Sequence, residues 1–197
     1  YEKYKQDREK SKTEKEAILG TLLGDSCLSF PVEESRNPRL QFTHGTVQSE
    51  WAKYKCDILQ RLSTKYFETK NGGYGERSII SRTACLQEIY KIAYPNGKKE
   101  VSRLWLDSIG NIGLAWWICD DGSRSKRSIR VHTEGYSEKE VQICADWFGD
   151  NYGKASIVKS KDKYYMLYLT SVARDNIYEP IKEHIPKCML YKILWNK

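Results

Sequence analysis

The sequence predicts an α+β fold built from two αββαββα repeats related by a pseudo-two-fold axis. Three observations predict it. Two short apolar stretches ending in acid, Ala17–Asp25 and Ile112–Gly122, open two similar series of elements. Each series continues with strands in which polar and apolar residues alternate, and with amphipathic helices. Asp25 and Asp121 occupy equivalent places in the two series and lie 96 positions apart. A diverged duplication of this kind predicts two similar halves around an approximate dyad.

Taken in order, residues 1–16 mix Lys, Arg and Glu with few apolar positions and read as a polar helix or disordered arm. The first repeat spans 17–98. It opens with the helical stretch Ala17–Asp25, whose glycines, Gly20 and Gly24, stand four apart. Strand material follows at Cys27–Phe30 and Arg39–His44, with Pro31, Asn37 and Pro38 in the loop between. In the second strand Leu40 and Phe42 point one way, while Arg39, Gln41 and Thr43 point the other. Residues 49–62 fit an amphipathic helix with Trp51, Tyr54, Ile58 and Leu62 on one face. Asn71-Gly72-Gly73 is a turn, 77–84 reads as a strand and 86–94 as a helix.

A basic turn, Asn96–Lys99, leads into a linker over 99–111 with a helix near Ser102–Ile109. The second repeat spans 112–197. Its apolar helix ends at Asp120-Asp121-Gly122. In the strand Ser128–Thr133, Ile129 and Val131 alternate against Arg130 and His132. A helix at 137–148 opens on a capping box, Ser137 with Glu140. Strands at 155–160 and 164–170 and a helix at 172–183 precede the closing stretch His184–Lys192.

Composition narrows the partners. The net charge is +7 and 40% of residues are hydrophobic, with a pI of about 9.0. A basic chain with a sizeable core favours a polyanionic partner, and nucleic acid is the commonest. The six cysteines lack a CxxC pair and sit among apolar neighbours, which reads as buried, reduced thiols in a non-secreted protein. Three histidines at no metal-site spacing argue against zinc. No apolar run reaches membrane-spanning length and no signal peptide is visible. The expected setting is intracellular, in an organelle or in bacterial or phage cytoplasm.

The paired acids carry the chemistry. A carboxylate at a helix C-terminus faces the negative end of the macrodipole. Two of them, Asp25 and Asp121, at matching places of a repeat suggest that a cation compensates both. Mg²⁺ suits the role, because it accepts one or two carboxylates and fills its other sites with water and phosphate oxygens. Gly20, Gly24, Gly113 and Ala115 are small enough to let the two helix backbones approach, so that the two acidic ends converge at the interface between repeats.

Both stretches resemble the motif of the LAGLIDADG homing endonucleases: "ILGTLLGD" at Ile18–Asp25 and "LAWWICDDG" at Leu114–Gly122. The closing "IPKCMLYK" at Ile185–Lys192 is similar to the end of the single-chain, two-motif branch. The resemblance implies a monomer that cuts both strands of a long, partly degenerate, intron-insertion-type site in double-stranded DNA. It implies that Asp25 and Asp121 bind the catalytic metal, with the backbone carbonyls of Gly24 and Asp120 as further donors. Asp120 aligns with Gly24 and is read as a neighbour, not a ligand. Lys99 and Lys192 match two lysines beside the active sites of this branch; a lysine there lowers the pKa of an attacking water or stabilises charge on the phosphate. Mg²⁺ is the implied cofactor, with Mn²⁺ expected to substitute and Ca²⁺ to bind without supporting cleavage.

The resemblance also implies that each half lays a twisted antiparallel sheet on the duplex as a saddle, polar side to the major groove. Strand parity then nominates Arg39, Gln41 and Thr43, and Arg130 and His132, for base contacts; Arg suits guanine and Gln suits adenine. Arg77, Arg82, Lys159 and Lys161 are expected to add base or phosphate contacts. The rival readings are a non-cleaving relative that acts on intron RNA as a maturase or in a ribonucleoprotein, and an interaction module whose duplicated helices merely form a core. Retention of both acids speaks for cleavage.

Overall fold

The computed structural model describes residues 2–32, 34–62, 64–68, 76–79, 85–126, 128–160 and 164–194. The first half consists of α1 (Glu2–Leu23), β1 (Ser26–Ser29), β2 (Arg39–His44), α2 (Ser49–Ile58), β3 (Lys65–Glu68), β4 (Glu76–Ile79) and α3 (Cys85–Ala93). A short α4 (Arg103–Asp107) bridges to the second half: α5 (Gly110–Asp121), β5 (Gly122–Ser125), β6 (Ser128–Val131), α6 (Glu138–Asn151), β7 (Ala155–Ser160), β8 (Tyr164–Leu169) and α7 (Ser171–Ile181). The two sheets are antiparallel with matching strand orders, β1-β2-β4-β3 and β5-β6-β8-β7. The duplication read from the sequence is therefore repeated strand for strand. Residues 2–16 follow the helical of the two readings, because α1 runs through them without a break.

The motif helices α1 and α5 pack against each other at the centre. A helix clad by both halves has no solvent face, so it must be apolar all round. From Ala17 to Leu23 and from Ile112 to Asp120 every residue is buried. Each such Leu or Ile side chain contributes roughly 1.5–3 kcal/mol. The crossing is close: a β-carbon on Gly20 would overlap the Gly113 backbone, and one on Gly24 would overlap the Asp120 side chain. Gly110, at φ +58°, reverses the chain between α4 and α5. The Glu16 carboxylate fills the space beside Gly110, where it complements the positive end of α5. Trp105 on α4 donates to the Leu19 carbonyl at 3.0 Å and pins α1. In the second half α6 opens on the expected capping box of Ser137 and Glu140.

Register fixes which side chains share a sheet face. Ser26 pairs with Phe42 and Gly122 with Val131, so Leu40, Phe42 and His44 correspond to Ile129, Val131 and Thr133. These are the inward positions, and all six are buried. Arg39, Gln41 and Thr43 take the other face, and Gln41 corresponds to Arg130 and Thr43 to His132.

Candidate functional site

Helix α1 ends at Leu23 and α5 at Asp121, and the chain leaves each end directly into the first strand of a sheet. This places Asp25 and Asp121 at the same end of the crossed helices, where the charge of Asp25 acts on Asp121. Lys99 and Lys192 come to the same place. Lys99 donates from Nζ to the Ser26 carbonyl at 3.4 Å, and Lys192 donates to the Asp120 carbonyl at 3.2 Å. The sequence-nominated acids and lysines are thus gathered from four separate stretches. A cavity of about 350 Å³ opens beside them, lined by Gly24, Lys99, Asp121, His132, Tyr136 and Glu140 among others. Tyr136 closes one wall by donating to the Leu23 carbonyl.

The two acids differ electrostatically. Burial works to raise Asp25, but His44 beside it and the positive charges of Lys55 and Lys192 outweigh it and hold the carboxyl below its ordinary value. Asp121 is pushed up to about 8 by burial and by the charges of Asp120 and Asp25, against the pull of Lys99 and Lys192. Burial also lowers Lys99, though Asp121 opposes it. Asp121 is an acid surrounded by acids, and a divalent cation would relieve it.

Asp120 is the surprise of the site. Its side chain is fully buried and wholly engaged. Lys55 donates to both carboxylate oxygens at 2.6 and 2.9 Å, Trp51 Nε1 to Oδ1 at 2.7 Å, and Thr21 Oγ1 to Oδ2 at 2.7 Å. Lys55, itself 0% exposed, also reaches Thr21 at 2.8 Å and His44 Nε2 at 3.0 Å, and lies over the rings of Phe42, Trp51 and Trp116. Asp25, His44 and Asp120 stand close enough to form a three-ligand cluster. Two of its three members are already spoken for, since the ammonium of Lys55 holds both Asp120 oxygens and His44 Nε2. Of the two motif acids it is Asp121 that carries unrelieved negative charge, from Asp120 and Asp25 beside it, a circumstance that suits a hard divalent cation.

Sequence reasoning passed over His44, Lys55, Trp51 and Thr21 as site residues. Signals for two of them exist. His44 continues the inward parity of Leu40 and Phe42, and Lys55 stands one turn from Trp51 on the apolar face of α2. A polar side chain at an apolar position demands a buried partner.

On the outward sheet faces, Arg39 is half-buried with its Nη2 3.5 Å from Gln41 Oε1, and Thr43 is exposed. Arg130 stacks over Tyr168 at 4.9 Å. His132 lies 3.0 Å from both Ser123 Oγ and Glu134 Oε1. Arg77 pairs with Thr43 in β4; its side chain, with Arg82 and Lys161, lies outside the described residues. Lys159 corrects an expectation. It pairs with Tyr165, whose hydroxyl donates to Glu138 on α6, and it lies over that ring. It therefore shares the helix-covered side with Ala155 and Ile157, not the side of Arg130. The cysteines also need correction: Cys56, Cys119 and Cys144 are buried, but Cys27 is exposed and Cys188 only partly covered. Cys27 follows the pleat, facing outward between Ser26 and Leu28.

Comparison with known proteins agrees with this architecture. Residues 15–176 match the model of the LAGLIDADG DNA endonuclease family. The chain is 30% identical over 201 residues to protein RecA of Mycobacterium gastri, covering 91% of this chain and 46% of that one. It is 25% identical to probable intron-encoded endonuclease 1 of Wickerhamomyces canadensis, covering 94% and 86%. The chain thus spans about half the length of the RecA relatives it matches. Among solved structures it resembles the homing endonuclease I-WcaI bound to its DNA recognition sequence, with a TM-score of 0.79 at 22% identity, covering 94% and 88%. It also resembles I-DmoI in complex with DNA and Mn, with a TM-score of 0.55 at 14% identity, covering 95% and 99%. The family model covers most of the sequence and both motif helices, and the chain belongs to the LAGLIDADG DNA endonuclease family.

Proposed function

We propose that the chain is a site-specific homing endonuclease that hydrolyses one phosphodiester bond in each strand of a DNA duplex with the help of divalent metal ions. The observation that carries this reading is the convergence of Asp25 and Asp121, with Lys99 and Lys192, at one end of the crossed motif helices. Asp25 and Asp121 would hold the metal. Mg²⁺ is the cofactor proposed, with Mn²⁺ as a substitute and Ca²⁺ as a non-productive ligand. When bound, the metal supplies an activated water and charge neutralisation at the leaving oxygen.

The protein's own groups do the rest. Asp25, held ionised, presents a ready carboxylate. Asp121 must lose its proton to serve, and Lys99 favours that loss. Lys99 and Lys192, anchored on backbone carbonyls, bring positive charge to the place where a scissile phosphate would lie. The outward faces of the two sheets would seat the duplex, with Arg39, Gln41, Thr43, Arg130 and His132 toward the major groove. The +7 net charge supports such a polyanionic partner.

The test is cleavage of a plasmid library with randomised inserts, in Mg²⁺ and in EDTA. Linear products in Mg²⁺ alone, lost in Asp25→Asn while duplex binding persists, are the expected result. Linearisation that survives Asp25→Asn refutes the metal assignment. Binding of DNA or structured RNA with no cutting in any divalent metal would favour a non-cleaving relative.

A further inference from the structure

We propose that His44 is a positioning residue for Asp25, locked into one tautomer from behind by the buried Lys55–Asp120 pair, and that among the described residues the Asp121 half has no counterpart. This rests on the endonuclease reading and adds a residue to it. The argument begins with donor chemistry. A lysine ammonium only donates. Lys55 Nζ stands 3.0 Å from His44 Nε2 and is fixed there by Asp120 and Thr21. An N–H on Nε2 would face an ammonium that cannot accept it, so Nε2 is the bare nitrogen and the ring proton sits on Nδ1. That nitrogen is buried and, among the described residues, meets no hydrogen-bond partner of good geometry. It is aimed at the motif acid, with Asp25 Oδ2 3.4 Å away.

The surroundings leave the ring little freedom. His44 is 2% exposed and lies against the rings of Phe42 and Trp51. Its other charged neighbour is Asp120, 4.0 Å from Nε2. Asp25 itself is 37% exposed at its side chain, so it has rotational freedom that a donor from behind would remove. A small turn of the Asp25 carboxylate closes the 3.4 Å gap, and one oxygen then remains for a metal. Hydrogen bonds of this kind are commonly long before substrate binds. In the other half, register puts Thr133 at the place of His44. Thr133 turns its hydroxyl to the Tyr165 carbonyl at 2.7 Å and offers Asp121 nothing.

Two measurements test this. The first needs no variant: ¹⁵N-histidine long-range correlation spectra of the unmodified protein, which has three histidines. His44 should show a protonated Nδ1 and a bare Nε2. A proton on Nε2 overturns the proposal, whatever the cleavage results. The second follows each strand of an end-labelled duplex, recovered from the plasmid library, in Mg²⁺. His44→Leu should slow one strand by about 10-fold or more, as outer-shell partners of metal ligands do. That strand should be the one whose cutting Asp25→Asn abolishes, and the other should change less than about 3-fold. His44→Asn, whose amide nitrogen replaces Nδ1, should recover much of the loss. Equal slowing of both strands, or slowing of the Asp121 strand, overturns the positioning role. Failure of the unmodified protein to cut either strand refutes the endonuclease reading, while the tautomer result still decides the geometry.

Discussion

The two halves share one strand order and one inward–outward register, yet their motif acids stand in opposite circumstances. Asp25 is half-exposed, faced by His44 and held below its ordinary value. Asp121 is hemmed in by Asp120 and Asp25 and raised to about 8. Besides the deeper burial of Asp121 and the presence of His44 beside Asp25, one step of the duplication separates them. The position before the acid is Gly24 in the first half and Asp120 in the second. Gly24 leaves the room that the Asp120 side chain occupies. Asp120 then requires a buried cation, and Lys55 of the first half supplies it. A fold can keep two-fold symmetry in its backbone while a swap of one residue at the axis makes its two sites chemically unequal.

The largest effect expected is on cleavage. Asp25→Asn and Asp121→Asn should each reduce cutting of one strand on the order of 100- to 1,000-fold, since each removes charge stabilisation at a reacting phosphate. The comparison sharpens if the two variants stop different strands, and breaks if either one stops neither. Strand-resolved product analysis on the recovered site reads both.

The next effect is on stability. Lys55→Met leaves the Asp120 carboxylate buried without its cation, which costs about 3–5 kcal/mol. With about 2–4 °C lost per kcal/mol in a chain of this size, the thermal midpoint should fall by roughly 10 °C. The double variant Lys55→Met with Asp120→Leu should recover much of that loss, because the pair is removed together. In the other half, Thr133 stands at the inward strand position that matches His44, and Thr133→Val should cost only about 1 kcal/mol, the worth of its bond to Tyr165. Equal losses for Lys55→Met and Thr133→Val would mean that the buried pair is not where the halves diverge.

Much of this arrangement was legible in the sequence, and the limits have physical causes. The motif helices announce themselves by an apolar run that ends in acid. The parity of Arg39–His44 and Ser128–Thr133 follows from the pleat alone. The capping box at Ser137 is a local pattern. By contrast, β3 and β5 are four-residue strands that need their hairpin partners to exist. Lys159 looks like a free basic residue until the pairing with Tyr165 sets its side. His44 and Lys55 show in the sequence only as polar residues at apolar positions, because their partner Asp120 is distant in the chain and brought close only by the crossing of α1 and α5. A pairwise ionic contact across a domain interface leaves no periodic trace in a single chain.

Proton linkage gives a smaller effect that sharpens the comparison. The folded Asp121 keeps its proton up to about pH 8, whereas the unfolded chain releases it near the ordinary value of 3.8. Between those values the unfolded state binds fewer protons. The metal-free protein therefore loses stability from this group as pH rises toward 8 and loses no more above it. A divalent cation reverses the trend, since it binds the ionised carboxylate and expels the proton. Thermal midpoints in EDTA and in Ca²⁺, measured from pH 6 to 9, should diverge as pH rises and level off above about 8. Asp121→Asn should flatten the EDTA curve over this range, whereas Asp25→Asn should keep a slope that levels off at a lower pH, because the Asp25 charge is one of those that raise Asp121. An EDTA curve of unchanged slope in Asp121→Asn would show that Asp121 is not the buried, raised acid.

The smallest effect concerns the sheets and separates two residues that charge alone treats as equal. Arg130 lies on the outward face of its sheet, stacked on Tyr168. Lys159 lies on the helix side, over Tyr165. If the outward faces seat the duplex, Arg130→Ala should weaken binding of the recovered site by about 1–3 kcal/mol and relax the base preference opposite it. Lys159→Ala should change affinity less than about 3-fold and leave the salt dependence nearly unchanged, because a lysine turned away from the duplex neutralises no phosphate. Binding isotherms at several salt concentrations distinguish the two. A lower salt slope in Lys159→Ala, with none of the expected loss in Arg130→Ala, would place the DNA on the opposite side of the second sheet and overturn the saddle.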